Sequence, residues 1–228
     1  VLIGPELLVE TFIRGLGTAG VYALIASGLT LIFGLMGVLN FAHGSLTTWG
    51  AYLGGGLLVT IAPAIGGTSG VSAVIALLLA LIIVFVALSA VGAGIEFGIV
   101  RRIYDRPAID QILLTFGIGI TLDSLIEIVV GYWNVDPFKP WIDPQQYGPE
   151  MVQVGSKYSV GPIDILGLKV FELIVGALLV GAVWLFLTRT RYGLFIRAGS
   201  EDDEMAEALG INVRRVFTVV FAIGTGLA

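Results

Sequence analysis

The sequence has no cysteine and a single histidine in its 228 residues. That excludes a disulfide framework, a thiolate metal site and a cysteine nucleophile, and one imidazole cannot form a histidine metal cluster. Charge is also scarce. Charged residues make up 13% of the chain, about half the usual share, and a soluble protein of this length needs more polar surface. No G-x-x-x-x-G-K-[ST] loop is present, so ATP is not hydrolysed here by that means. G-x-S-x-G and H-E-x-x-H are absent too, which removes the commonest hydrolase and metalloprotease centres and makes an intramembrane enzyme the weakest reading. No basic leader precedes an A-x-A-like site, so a signal peptide is not expected.

What is present is apolar. Hydrophobic residues make up 57% of the chain and mean hydropathy is +0.97. Several apolar runs reach the ~20 helical residues needed to cross the hydrocarbon. Helices satisfy their own backbone in lipid, and the alternation of a barrel is missing, so the fold class is an all-α polytopic membrane protein. About six spans are expected: Leu8 to Met36, Ser45 to Ile61, Val71 to Val100, Asp110 to Tyr132, Leu168 to Leu187, and a last one from Val216 that is cut off at Ala228. They form one transmembrane domain over residues 1–228, expected to be a piece of a longer protein. The first span carries Gly15, Gly17, Gly20, Gly28 and Gly34, with Ala23 and Ser27 as a small-x-x-x-small pair, and the second carries Gly50 and Gly54. Small residues let helix backbones approach, so the first span is expected to pack inside the bundle, and Gly50 and Gly54 of the second have G-x-x-x-G spacing.

Loops and sidedness follow from polarity. Pro63 to Gly70 reads as a turn. Residues 133–167 read as an external loop, with Tyr132, Trp133, Trp141 and Tyr147 suited to an interfacial belt. Eight of the nine arginines lie at 101–106, 189–197 and 214–215. Two spans separate the first group from the others, so all three share a side, and the positive-inside rule makes it cytoplasmic. Residues 189–215 are then a cytoplasmic loop. The turn near 37–44 faces inward or lies within the membrane, and the N-terminus is outside.

That cytoplasmic loop holds five acidic residues within Ser200 to Gly210. They suggest a helix of about three turns, roughly 14 Å long. Ser200 is its expected N-cap, with Asp203 at capping-box spacing. Gly210 is placed to end it, and Asn212 to cap the next helix. Met205, Ala208 and Leu209 fall on one side of such a helix.

Two further stretches carry polar groups at membrane depth. Gly37 to Ser45 interrupts two apolar helices and contains Asn40 and His43. It reads either as a tight turn capped by Asn40 or as a broken helix lining a pathway, the half-helix from Ser45 directing free N–H groups and its positive end at a cavity. Asp123 and Glu127, four apart, share a helix face about 20 and 26 Å above Asp110. A carboxylate that deep faces the bundle or water, as a partner of a polar neighbour or as a contact for an amino group in transit. Glu96, close to Arg101, reads as a paired or snorkelling side chain.

The motif Glu204-x-Ala206-x-x-x-Gly210 resembles the EAA-x-x-x-G loop of ABC importer permeases, with Met205 where that pattern has a second alanine. Tyr22 to Gly34, continuing into Asn40-Phe41-Ala42-His43-Gly44 and Gly50-Ala51-Tyr52, resembles the opening of the branched-chain amino-acid ABC permeases of the LivH type. Arg106-Pro107 with Leu113-Leu114-Thr115-Phe116-Gly117 is similar to that family's next block, and Arg197 to Ala228 to its cytoplasmic loop and following helix. The resemblance implies a permease subunit in a prokaryotic plasma (inner) membrane. Its partners would be a second permease, two cytoplasmic ATPase subunits that hold the ATP and Mg, and an external substrate-binding protein. No cofactor is expected on this chain. It also implies that Glu204, Met205, Ala206, Leu209 and Gly210 form the ATPase-coupling helix. Asn40, His43, Gly44, Ser45 and Asp123 remain the pathway candidates. Cargo would be leucine, isoleucine or valine, with urea or a short amide as the alternative. A stand-alone channel or ion-coupled carrier, using Asp123, Glu127 and His43 as ion sites, gives no purpose to a surface helix of this kind.

Overall fold

A computed structural model describes residues 4–65, 70–133, 157–160 and 163–228. Its long helices are α1 (Pro5–Met36), α2 (His43–Ala64), α3 (Gly70–Gly98), α4 (Ala108–Trp133) and α5 (Gly167–Arg189). Three short helices follow: α6 (Arg191–Glu201), α7 (Asp203–Ala208) and α8 (Val213–Gly226). A 3-10 turn, Val100–Ile103, joins α3 to α4. A two-stranded antiparallel hairpin, β1 (Lys157–Val160) and β2 (Ile163–Leu166), leads into α5. This hairpin was not expected; it falls within the stretch read as an external loop. Trp141 and Tyr147, assigned to the interfacial belt, lie outside the described residues, as do residues 66–69 of the turn expected after α2.

Among the described residues, four helical segments are long and apolar enough to cross a membrane: Pro5–Met36, Val74–Ile103, Ala108–Val130 and Lys169–Arg189. The chain is a multi-pass helical membrane protein. The close helix crossings fix the direction in which each helix runs. A Cβ on Gly17 would lie 2.6 Å from the Lys169 carbonyl oxygen, and one on Gly176 would lie 2.9 Å from the Gly20 Cα. Residue numbers rise together here, so α1 and α5 are parallel. Gly28 of α1 meets the Gly224 carbonyl, and Gly92 of α3 meets Thr225, so α8 runs antiparallel to both. Gly50 of α2 packs on Leu88, and Gly54 on Val84, of an antiparallel α3. Gly17, Gly20 and Gly28 of α1 thus sit at close crossings: at Gly20–Gly176 and Gly28–Gly224 backbone meets backbone, and no side chain fits between, whereas Gly15 and Gly34 meet no neighbour within 4 Å.

These directions bring the C-terminal ends of α1, α3 and α5 together with the N-terminal ends of α4 and α8. Two apolar clusters hold that end. Leu31, Ile196, Val216 and Val220 form one, flanked by Phe186 and Leu187. Ile32, Val38, Val100 and Phe221 form the other, flanked by Tyr104 and Ile118. All three arginine groups border these clusters, so they share one side of the bundle. Gln111, nearly buried, donates from Nε2 to the carbonyls of Ile103, Tyr104 and Arg106 at 3.4, 3.3 and 3.1 Å. The Tyr104 and Arg106 carbonyls are thereby satisfied inside the protein, while the Ile103 carbonyl also accepts from the Arg106 N–H at 3.0 Å.

Candidate functional site

The surface helix differs from its expected form. Ser200 does not cap it. α6 runs on to Glu201, so Ser200 already has helical backbone, and its hydroxyl donates back to the Arg197 carbonyl at 2.9 Å. Asp202 is extended instead (φ −157°, ψ 102°), and its Oδ1 accepts from the Met205 N–H at 2.8 Å. The helix proper is Asp203–Ala208, six residues, about 9 Å long rather than three turns. Its end is as read from the sequence. Gly210 has φ +85°. The Gly210 N–H reaches the Glu207 carbonyl at 2.9 Å, and the Ile211 N–H reaches the Ala206 carbonyl at 3.0 Å. These are the paired bonds of a Schellman stop. Asn212 Oδ1 then accepts from Arg215 N–H at 3.0 Å and starts α8.

Ala206 faces inward and is 2% exposed, whereas Met205 and Leu209 are 58% and 75% exposed. The two exposed residues are four apart, Met205 on α7 and Leu209 as its C-cap, with Glu204 and Glu207 also at the surface. Residues 200–210 therefore project from the arginine-bearing end with an apolar pair outward and one small residue seated inward. α6 lies within the stretch read as loop. Thr190 caps it by accepting from Gly193 N–H at 3.1 Å. Gly193, Ile196 and Gly199 form its buried face, and Ile196 is what anchors it to the bundle.

The second candidate region is the break between α1 and α2. Gly37 ends α1 with φ +65°, and its N–H returns to the Phe33 carbonyl at 2.9 Å. Thr115 of α4, fully buried, sets its hydroxyl 2.9 Å from the Leu39 carbonyl and 3.0 Å from the Gln111 carbonyl of its own helix, so that its one proton is shared between them. A Cβ on Gly119 would lie 3.2 Å from Ser45 Oγ and 3.4 Å from the Ala42 Cα, and Trp49 Nε1 donates to the Leu122 carbonyl at 3.0 Å. α2 therefore begins beside Gly119, about 16 Å along α4, and rises parallel to it. Non-helical backbone sits at membrane depth here, and protein groups satisfy it.

Asn40 and His43 are each 3% exposed, and Ser45 is 8% exposed. The His43 ring packs against α1: its Cε1 would lie 3.1 Å from a Cβ on Gly28, and its Nε2 bonds the Ile25 carbonyl at 3.0 Å. That bond makes Nε2 the protonated nitrogen. His43 Nδ1 and Asn40 Nδ2 have no partner. Gly44 is exposed. Asp123 and Glu127 are both exposed on α4, with Ser124 between them. The structure thus gathers Asn40, His43, Gly44 and Ser45 at the start of α2 and sets Asp123 apart, one turn above Gly119. An apolar groove of about 340 Å³ between α2 and α4, lined by Trp49, Tyr52, Leu53, Gly56, Ile126 and Val129, continues from there.

A third cluster was only half legible. Glu96 is fully buried. Arg101 clasps both its oxygens, Nε to Oε1 at 3.1 Å and Nη2 to Oε2 at 3.0 Å. The Tyr104 hydroxyl donates to Oε1 at 2.6 Å. Burial, reinforced by the bond to Glu96, pushes the Tyr104 phenol far above its ordinary pKa, so it stays a donor. Arg101 Nη2 also donates to Thr218 Oγ1 of α8 at 2.6 Å. The Glu96–Arg101 spacing signalled a pair. Nothing local pointed to Thr218, which is 117 residues away from Arg101.

Residues 11–228 match the family model described as the branched-chain amino acid transport system / permease component. The high-affinity branched-chain amino acid transport system permease protein BraD of Pseudomonas aeruginosa is 28% identical over 226 residues, covering 98% of this chain and 70% of that protein. The corresponding LivH proteins of Salmonella typhimurium and Escherichia coli K12 are 28% and 27% identical over 219 residues, covering 96% of this chain and 67% of each. No solved structure matches the chain.

Proposed function

The chain belongs to the family of branched-chain amino acid transport permease components, and from that premise we propose that it works as one half of the translocation pathway of an ATP-driven importer for branched-chain or other hydrophobic amino acids. A second permease completes the pathway. Two ATPase subunits, holding the ATP and Mg, act from the arginine-bearing side, which is the cytoplasm of a prokaryote, and an external binding protein delivers cargo on the other side.

The observation that carries this reading is the form of α7. Six residues are fixed at both ends, by Asp202 and by the Gly210 stop, and Met205 and Leu209 are left outward where the bundle has no use for them. A rigid apolar knob with acidic neighbours suits a cleft on another protein. In this reading Glu204, Met205, Ala206, Leu209 and Gly210 are the coupling residues, Ala206 seating the helix and Met205 and Leu209 entering the ATPase.

Asn40, His43, Gly44 and Ser45 shape the inner wall of the pathway. The start of α2 at mid-depth, with two unpartnered polar atoms, supports that role. Asp123 is exposed on a helix that crosses hydrocarbon. A carboxylate there needs water or a polar partner, which suits the path of an amino group beside the apolar α2–α4 groove.

The test is uptake by vesicles holding the full assembly. Labelled leucine accumulates with ATP and labelled urea does not, whereas urea uptake without leucine uptake makes the chain an amide permease. Gly210→Trp inserts normally, loses co-purification with the ATPase and stops uptake. Normal co-purification and uptake by that variant would remove α7 from the coupling role.

A further inference from the structure

We infer that Glu96, Arg101 and Thr218 form a strut that makes the α3–α4 turn move with α8, so that displacement of α7 reaches the pathway helices. The inference rests on α7 being the ATPase-docking element and adds the connection from that element to the bundle.

α8 begins at Val213, directly after the Gly210 stop and the Asn212 cap. Its first two turns are therefore the first membrane-side structure to feel any force on α7. They meet the rest of the bundle in two ways. Apolar contact through Val216, Val220 and Phe221 is non-directional and tolerates sliding. The polar link does not. Arg101 Nη2 lies 2.6 Å from Thr218 Oγ1, and its guanidinium cannot swing away because Glu96 holds it at two points. The guanidinium carbon also sits 4.7 Å from the centre of the Phe97 ring, and the Tyr104 hydroxyl donates to Glu96 Oε1, the oxygen that also accepts from Arg101 Nε. Tyr104 in turn meets Phe217, the neighbour of Thr218, edge to face at 5.5 Å.

Charge-assisted, bidentate bonds are short and directional. A carboxylate with no exposure, in a helix end bordering lipid, is costly to leave unpaired. The pair therefore stays closed while α8 moves, and Thr218 is where that movement is handed on. The receiving element is the 3-10 turn and, through Gln111, the first turn of α4. α4 carries Thr115, which grips the Leu39 carbonyl of the break, and Asp123 lies further up it. Glu96 and Arg101 are accordingly positioning residues and touch no cargo.

Thr218→Val removes the acceptor, together with the hydroxyl's own 2.9 Å bond to the Arg214 carbonyl one turn back, and leaves the Glu96–Arg101 pair closed. Thr218→Ser restores the oxygen. The measurement is amide hydrogen exchange across residues 99–106 of the purified permease assembly, with and without its ATPase subunits. In the native chain and in Thr218→Ser, docking slows exchange both in α7 and in 99–106. In Thr218→Val, slowing in α7 persists, while protection of 99–106 weakens by about tenfold, the equilibrium worth of a lost hydrogen bond to a charged group. Equal protection of 99–106 in Thr218→Val and Thr218→Ser overturns the strut, as does a native chain whose 99–106 segment ignores docking while α7 responds. If α7 itself does not respond, the docking role falls first and the strut with it. In reconstituted vesicles, the assembly carrying Thr218→Val consumes more ATP per labelled leucine taken up than the assembly carrying Thr218→Ser. An unchanged ratio contradicts the strut independently.

Discussion

Replacing Gly210 with alanine puts the α7 stop to a quantitative test. Gly210 holds φ +85°, and a Cβ placed there meets no atom within 4 Å. The substitution is therefore sterically silent and acts through the backbone alone. Left-handed backbone costs a residue with a Cβ roughly 1–2 kcal/mol. α7 has six residues, far below the length at which a helix stands alone, so it depends on its caps. A loss of 1–2 kcal/mol multiplies the population of the open state by about 5–30. Hydrogen exchange at Gly210 and Ile211, whose N–H groups make the two stop bonds, accelerates by that factor in Gly210→Ala. Gly210→Asn falls between glycine and alanine, because asparagine enters the left-handed region more readily, and Gly210→Val is worse than alanine. ATPase co-purification follows the same order. If alanine and valine exchange at the native rate and bind ATPase as the native chain does, the strain argument and the rigid-knob argument both fail.

Other substitutions probe the bundle. Gly28→Leu forces a side chain against the Gly224 backbone and lowers stability in detergent by at least the ~1–3 kcal/mol of an overpacked core, read by thermal unfolding. Arg101→Ala is more damaging than Glu96→Gln, because it strands a fully buried carboxylate; a cost of about 3–5 kcal/mol is expected for the arginine variant, again by thermal unfolding. Thr115→Val removes the bond to the Leu39 carbonyl at about 1 kcal/mol, and exchange at the His43 and Leu46 N–H groups rises while α5 is unaffected. Asn40→Ala and Asp123→Asn lower labelled-leucine uptake with assembly intact; full-rate uptake returns Asn40 to the role of a turn residue and Asp123 to that of a surface group.

Local chemistry was legible where it decides the structure. Hydropathy located the long helices because in lipid the burial pattern and the span are the same feature. Arginine placement put three groups on one side, and the apolar clusters at that end join them. Gly210 and Asn212 were readable because a stop and a cap depend on a few neighbouring residues. Ser200 was not. Ser200 and Asp202 are both good caps, and the choice between them was made by α6, which runs through Ser200 to Glu201. α6 itself is weakly apolar and holds two glycines in its buried face; Ile196 docking on Leu31 and Val220 stabilises it, and that contact joins segments far apart in sequence. Thr218 escaped notice for the same reason. The depth of the α1–α2 break was left open by the sequence, because it is set by Thr115 and Gly119 of another helix.

The most direct test uses the absence of cysteine. Leu209→Cys places one thiol in these residues, at the 75% exposed C-cap of α7. In oriented membrane vesicles, a membrane-impermeant maleimide labels it from the cytoplasmic face only, and bound ATPase protects it. Labelling from the opposite face, or labelling that ignores the ATPase, contradicts the assignment of α7 as the docking element.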